Sequence, residues 1–176
     1  MKIILASRSG VRKTILDKYK VGLLDTRKTT PGHRVLEKYA TSCGGGYNHR
    51  MNLSDRILIK DNHLASYHID STKKFSGFMK KIVQKADKNI VEVEIDQIDQ
   101  LVPAIEAEVD AVLLDNFTPE EVKKAVEINK NRVVLEASGG INRKSLEYFA
   151  KAKPHFISTG APIHSSRWID IGLDWK

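Results

Sequence analysis

The chain has 176 residues, of which 41% are hydrophobic, with one cysteine and a formal charge of +7. That is enough apolar material for one domain with its own core. No apolar run is long enough to span a bilayer, and the opening Met1 to Lys13 carries charge around a very short apolar patch, so neither a signal peptide nor a membrane span is expected. The lone Cys43 excludes an internal disulfide and fits a reducing cytoplasm. Only 7% of residues are aromatic, so the basic charge lacks the stacking side chains of single-strand binders. Lys73, Lys74, Lys80, Lys81 and Lys85 have helical spacing and read as solvated helix faces. Nucleic acid is therefore not an expected partner.

In chain order, Val11 to Tyr19 forms an amphipathic helix with Ile15 and Leu16 on one face, so residues 1–20 read as a helical lead-in. From Val21 short apolar runs alternate with longer amphipathic ones, which predicts a parallel sheet wrapped by helices over residues 21–176. The runs are Val21 to Leu24, Ile57 to Ile59, Ile90 to Ile95, Ala111 to Leu114, Val133 to Leu135 and Phe156 to Ile157, with a seventh at Trp168 to Ile171. Helices are expected at Gly32 to Thr41, Ser71 to Ala86, Ile98 to Ala107, from Thr118 onward, and at Asn142 to Ala150. Thr118 followed by Pro119, Glu120 and Glu121 is a cap with proline in the first turn and acids at the positive end of the helix dipole. Six or seven such units make an α/β chain, an incomplete TIM-like β/α barrel.

Barrels of this kind carry function at the C-terminal ends of their strands. That rule collects Asp25 to Lys28, Lys60, Glu94, Asp115 with Asn116, Ser138 to Gly140, and Thr159 with Gly160. Strand alternation puts Glu92 and Glu94 on one face and Val93 on the other. Glu94 and Asp115, on adjacent strands, can share Mg²⁺ or accept hydrogen bonds from sugar hydroxyls. Equally, such a carboxylate can pair with Lys60 or Lys28 and merely settle buried charge. The glycine loops at Ser138 to Gly140 and at Gly160, the latter ahead of His164, suit a phosphate. A Zn²⁺ site is not expected, because His49, His63 and His68 lack ligand spacing and cysteine partners.

Residues 24–63 concentrate devices for handling anions: Arg27 with Lys28, the triplet Gly44 to Gly46, His49 with Arg50, and Lys60. Within this stretch, Asp25-Thr26-Arg27-Lys28-Thr29-Thr30-Pro31-Gly32, Gly44-Gly45-Gly46-Tyr47-Asn48-His49-Arg50 and Ile59-Lys60-Asp61-Asn62-His63 together resemble quinolinate phosphoribosyltransferase, the carboxylating nicotinate-nucleotide pyrophosphorylase. The second and third motifs match a molybdenum-associated relative of the same fold less well. The resemblance covers the catalytic barrel of that family and not its N-terminal α/β domain.

The resemblance implies phosphoribosyl transfer from phosphoribosyl pyrophosphate to quinolinate with loss of CO₂, giving nicotinate mononucleotide and pyrophosphate. It implies that Arg27, His49, Arg50 and Lys60 contact the quinolinate carboxylates. Lys28 and Lys60 neutralise the pyrophosphate, and Glu94 and Asp115 serve ribose and Mg²⁺. Ser138, Gly139, Gly140, Gly160 and His164 hold the 5-phosphate, with Pro162 standing where the family more often has Leu. In relatives the N-terminal domain covers the partner subunit's barrel mouth and donates an arginine, so a bare barrel is expected to have an open, less cationic pocket. A homo-oligomer, or association with a chain carrying that domain, follows as the expected assembly. The alternative is a barrel that binds phosphate and dicarboxylate ligands but needs such a partner to turn over.

Overall fold

The computed structural model describes residues 10–166 and Gly172. Six strands form one parallel sheet: β1 (Gly22–Leu24), β2 (Ile57–Ile59), β3 (Val91–Ile95), β4 (Ala111–Asp115), β5 (Val134–Ser138) and β6 (Phe156–Ser158). Their order is β1-β6-β5-β4-β3-β2, the cyclic order of a barrel with its seam between β1 and β2. The segment after Gly46 enters that seam: Tyr47 N–H donates to Leu23 O at 2.7 Å and Asp25 N–H donates to Tyr47 O at 3.1 Å. The α/β class and the incomplete parallel barrel stand as the sequence predicts. The seventh run, Trp168 to Ile171, lies outside the described residues.

The helices are α1 (Gly10–Tyr19), α2 (Arg34–Cys43), α3 (Asp61–Ser66), α4 (Thr72–Lys85), α5 (Leu101–Glu106) after a 3₁₀ turn at Ile98–Gln100, α6 (Pro119–Asn129), α7 (Leu146–Ala152) and α8 (Ala161–His164). At α6 the Thr118 hydroxyl accepts from Glu121 N–H, and the Glu121 side chain returns to Thr118, a reciprocal cap. The last long helix begins at Leu146, not Asn142. Asn142 Oδ1 accepts from Lys144 N–H at 2.9 Å and Ser145 Oγ accepts from Asn142 N–H at 3.1 Å, so the side chains hold a turn in place of the helix's first residues. The short α3 has no counterpart among the expected elements. No helix among the described residues is long and apolar enough to cross a membrane.

Strand register sorts the side chains into two populations. Val91, Val93, Ile95, Val112, Leu114, Leu135, Ala137 and Ile157 lie on the outer face and join Phe75, Met79, Leu101, Val122, Leu146 and Phe149 from the helices in one buried cluster. Leu16 of α1 belongs to the same cluster. The inner face carries Glu92 and Glu94 on β3, Asp115 on β4, and Glu136 and Ser138 on β5, with Glu94 level with Leu113 and Glu136. The main apolar core thus sits between sheet and helices, and the inside of the barrel sets these polar groups among the buried Leu58, Ala111 and Leu113.

Candidate functional site

Going round the rim in strand order brings the expected residues together in three groups. Lys60 follows β2, Glu94 lies in β3, and Asp115 ends β4. Ser138 ends β5 and leads into Gly139 and Gly140, and Gly160 follows β6. Arg27 and Lys28 follow β1, and His49 and Arg50 fill the seam between β1 and β2. A cationic arc around the seam therefore runs into an acidic pair on one side and two glycine loops on the other.

In the cationic arc, burial and the neighbouring charges of Arg27 and Arg56 hold the Arg50 guanidinium below its ordinary value. Three arginines thus crowd one another, a state that a polyanion relieves. Buried Arg27 Nε has no hydrogen-bond partner among the described residues. Arg34 fixes the loop that carries Arg27: its Nη2 donates to Arg27 O at 3.2 Å, its Nε to Thr29 Oγ1 at 3.1 Å, and its Nη1 to Met51 O at 3.2 Å. Lys28 is exposed, its N–H donating to Thr26 Oγ1 at 3.0 Å.

Lys60 Nζ lies 2.5 Å from Glu94 Oε2. Both alternatives for Glu94 therefore bear on one residue, since it is paired with Lys60 and also faces open space. Glu94 and Asp115 line a groove of about 610 Å³ together with Asp61, Asp70, Asp96 and Asp99. Asp115 Oδ2 accepts from Asn116 Nδ2 at 2.7 Å. This set of hard carboxylate oxygens beside open volume fits Mg²⁺ better than a softer ion.

The two glycine loops are tied to each other. Thr159 Oγ1 donates to Ile141 O at 2.6 Å and accepts from Ala161 N–H at 3.1 Å. Gly139 has φ +95°, and a Cβ there would lie 2.2 Å from Asn116 Oδ1 and 2.6 Å from Asn116 N. Only glycine fits. Gly140 has φ +60° and faces open space. A Cβ on Gly160 would meet the His164 ring at 3.0 Å and Thr26 Oγ1 at 3.6 Å, so the β6 loop also touches the loop after β1. Because α7 starts at Leu146, the loop at Ser138 to Gly140 does not run straight into a helix N-terminus as the sequence suggested.

Beneath the rim lies a buried triad that residue spacing did not reveal. His49 Nε2 sits 3.3 Å from Glu92 Oε2 and 3.4 Å from Glu136 Oε2, and Arg56 Nη1 sits 3.3 Å from Glu92 Oε2. A side chain from the seam that reaches both β3 and β5 confirms that the sheet curls around this point. Glu92 Oε1 and Glu136 Oε1 have no partner among the described residues. The three ligating atoms lie within 4.8 Å of one another, as a metal would need. However, Arg50 N–H donates to His49 Nδ1 at 2.8 Å, which puts the ring proton on Nε2, where a metal would have to bind. The triad as arranged holds protons.

Burial lowers the affinity of His49 for a second proton, but hydrogen bonds and charge from Glu136 and Glu92 outweigh it and raise the imidazole to about 9. Burial, with Glu92 as a like charge, also raises Glu136. Glu92 is held below the ordinary range: burial opposes this, but His49 and Arg56 prevail. A charged ring would turn its Nδ1 proton against the Arg50 amide. The extra proton therefore belongs to the coupled pair of His49 and Glu136, both of which hold it more tightly than usual. The buried pairing of Glu136 with His49, of Arg56 with Glu92 and of Lys38 with Asp25 is what sequence reading missed; inner-face parity with Glu94 was the one signal available, for Glu136.

The model for "Quinolinate phosphoribosyl transferase, C-terminal domain" matches residues 5–174. A Bacillus subtilis (strain 168) protein named "Probable nicotinate-nucleotide pyrophosphorylase (carboxylating)" is 41% identical over 173 residues, covering 98% of this chain and 57% of its own length. The nicotinate-nucleotide pyrophosphorylase (carboxylating) of Mycobacterium leprae (strain TN) is 39% identical over 160 residues, covering 88% of this chain and 54% of its own length. Among solved structures, the nicotinate-nucleotide pyrophosphorylase of Francisella tularensis superposes with a TM-score of 0.78 at 42% identity, covering 87% of this chain and 53% of that one. The chain spans about half the length of the curated relatives it matches.

Proposed function

Because the chain belongs to the quinolinate phosphoribosyl transferase family through its C-terminal domain, we propose that it forms the catalytic barrel for phosphoribosyl transfer from phosphoribosyl pyrophosphate to quinolinate, with decarboxylation to nicotinate mononucleotide. The observation that carries this reading is the order of groups round the rim, cations at the seam, then acids, then the tied glycine loops. A dicarboxylate, a ribose and a 5-phosphate meet complementary chemistry in that order.

Arg27, Arg50, His49 and Lys60 draw the two carboxylates of quinolinate into the seam, where the crowded arginines gain from a dianion. Pyrophosphate leaves from the anomeric carbon as the pyridine nitrogen attacks. Lys28 and Lys60 meet the charge that develops on the leaving group, and Glu94 and Asp115 face the ribose as it gains cationic character. Glu94 and Asp115 would also hold Mg²⁺, which supplies charge neutralisation to the pyrophosphate when bound. Ser138, Gly139, Gly140, Gly160 and His164 hold the 5-phosphate and so fix the sugar against the seam. No side-chain nucleophile is required. The carboxylate next to the ring nitrogen then departs as CO₂, and a proton replaces it at that carbon.

Val35, Leu36 and Tyr39 of α2 are exposed apolar side chains on one helix. They support association with a second copy or with a chain carrying an N-terminal domain of the family's kind.

The test is a calorimetric titration with quinolinate, with and without phosphoribosyl pyrophosphate and Mg²⁺, followed by assay for nicotinate mononucleotide. Turnover is the expected result. Binding without turnover would limit the chain to holding the ligands, and absence of both would overturn the reading.

A further inference from the structure

Helix α2 buries one residue completely, and it is a lysine. Lys38 is 1% exposed, whereas Val35, Leu36 and Tyr39 are 68%, 67% and 69% exposed. The helix therefore turns apolar side chains outward and a cation inward, against the usual sense of an amphipathic helix. A buried ion pair seldom stabilises more than apolar residues of the same volume would, so stability alone does not account for it.

What the lysine does is visible in its contacts. Lys38 Nζ donates to Asp25 Oδ1 at 2.6 Å and to His49 O at 2.9 Å. Asp25 Oδ1 in turn accepts from His49 N–H at 2.7 Å. With its side-chain amide oriented to satisfy both ends, Asn48 donates to Asp25 Oδ2 at 3.0 Å and to Lys38 O at 2.9 Å. Both polar backbone groups of His49 are thus gripped by one ion pair. From that anchored backbone the His49 ring reaches Glu92 and Glu136, and its Nδ1 accepts the Arg50 amide.

We infer that Lys38 and Asp25 are positioning residues, which clamp the His49 backbone in the barrel seam and thereby set His49 and Arg50 for the dicarboxylate end of the ligand. This rests on the proposed function for the identity of that ligand, but the clamp itself does not. Among the described residues neither side chain hydrogen-bonds to the glycine loops or to Glu94 and Asp115, so loosening the clamp should act chiefly on the seam.

The test uses the whole chain with both charges removed together, Lys38→Met with Asp25→Asn, so that no buried charge is stranded. Quinolinate affinity should fall about tenfold or more, the scale of a loosened charge-assisted contact. Affinity for phosphoribosyl pyrophosphate should stay within about twofold, as expected for distant sites. In a background lacking both side chains that the clamp sets, His49→Ala with Arg50→Ala, the same pair of changes should cost quinolinate binding little further. An equal loss in both backgrounds, or no loss in either, overturns the proposal.

Where the double variant does not fold, amide NMR of the parent chain decides. The His49 amide should be shifted downfield and slow to exchange because of its bond to Asp25, and a fast-exchanging amide at an ordinary shift overturns the clamp. A parent chain that shows the clamped amide but no affinity for quinolinate would overturn the proposed function and leave the clamp standing.

Discussion

Lys60 and Glu94 stand 2.5 Å apart at the neighbouring ends of β2 and β3, at the boundary between the cationic arc and the acidic groove. The pair is partly open to solvent on the lysine side, so it contributes little to stability, about 1 kcal/mol at most. In the proposed reaction its value is in placement: the carboxylate would hold the ammonium where the dicarboxylate and the leaving pyrophosphate meet. Lys60→Ala should therefore lower quinolinate affinity by about tenfold or more while shifting the denaturation midpoint little. A calorimetric titration beside a urea melt would check this, and unchanged affinity would remove Lys60 from the site.

Gly139 and Gly140 should respond unequally to alanine. At Gly139 the added methyl meets Asn116 at 2.2 Å with φ at +95°. Strain and overlap together should destabilise the chain by about 2 to 4 kcal/mol and loosen the phosphate end. At Gly140 φ is +60° with open space around it, so Gly140→Ala should cost only about 1 to 2 kcal/mol. Urea denaturation of both variants distinguishes them, and equal losses would show that the Asn116 contact is not the constraint.

The buried triad makes stability depend on pH in a definite sense. His49 and Glu136 are both raised relative to the unfolded chain, so the folded state holds the extra proton more tightly. That contribution is fully present below the ordinary pKa of each group and is lost as pH rises through the folded value, about 9 for the imidazole. Denaturant midpoints should fall between neutral pH and about 10. His49→Gln should flatten that fall, whereas a slope unchanged by the substitution would place the titration elsewhere.

The outward face of α2 should govern association. Leu36→Glu with Tyr39→Glu puts charge where Val35, Leu36 and Tyr39 expose apolar surface. Light scattering should show a smaller species for the variant than for the parent, and a monodisperse parent monomer would count against association through this face.

Much of the architecture was legible before any coordinates. The alternation of short apolar runs with amphipathic stretches foretold six or seven parallel strands, six of which lie among the described residues, and the reciprocal cap at Thr118 and Glu121 appeared where Thr-Pro-Glu-Glu announced it. These are local signals, set by backbone periodicity and by side chains bonding amides a few residues away. The start of α7 was misread because Asn142 and Ser145 can bond the backbone of a turn as readily as they can begin a helix.

Most candidate site residues were legible for a related reason: a strand end is a position along the chain, so Lys60, Glu94, Asp115 and the glycine loops could be named from the sequence alone. What the chain's own order could not decide was which charges face inward. Lys38 in isolation is one more helix lysine, Arg56 one more loop arginine, and Glu136 a carboxylate two residues before Ser138. Only closure of the barrel brings Lys38 to Asp25, or His49 to Glu92 and Glu136, across separations of 13, 43 and 87 residues. The sequence by itself determined the elements and the polar strand ends; the tertiary structure alone decided the buried charges, because a charge can leave water only where distant segments supply its partners.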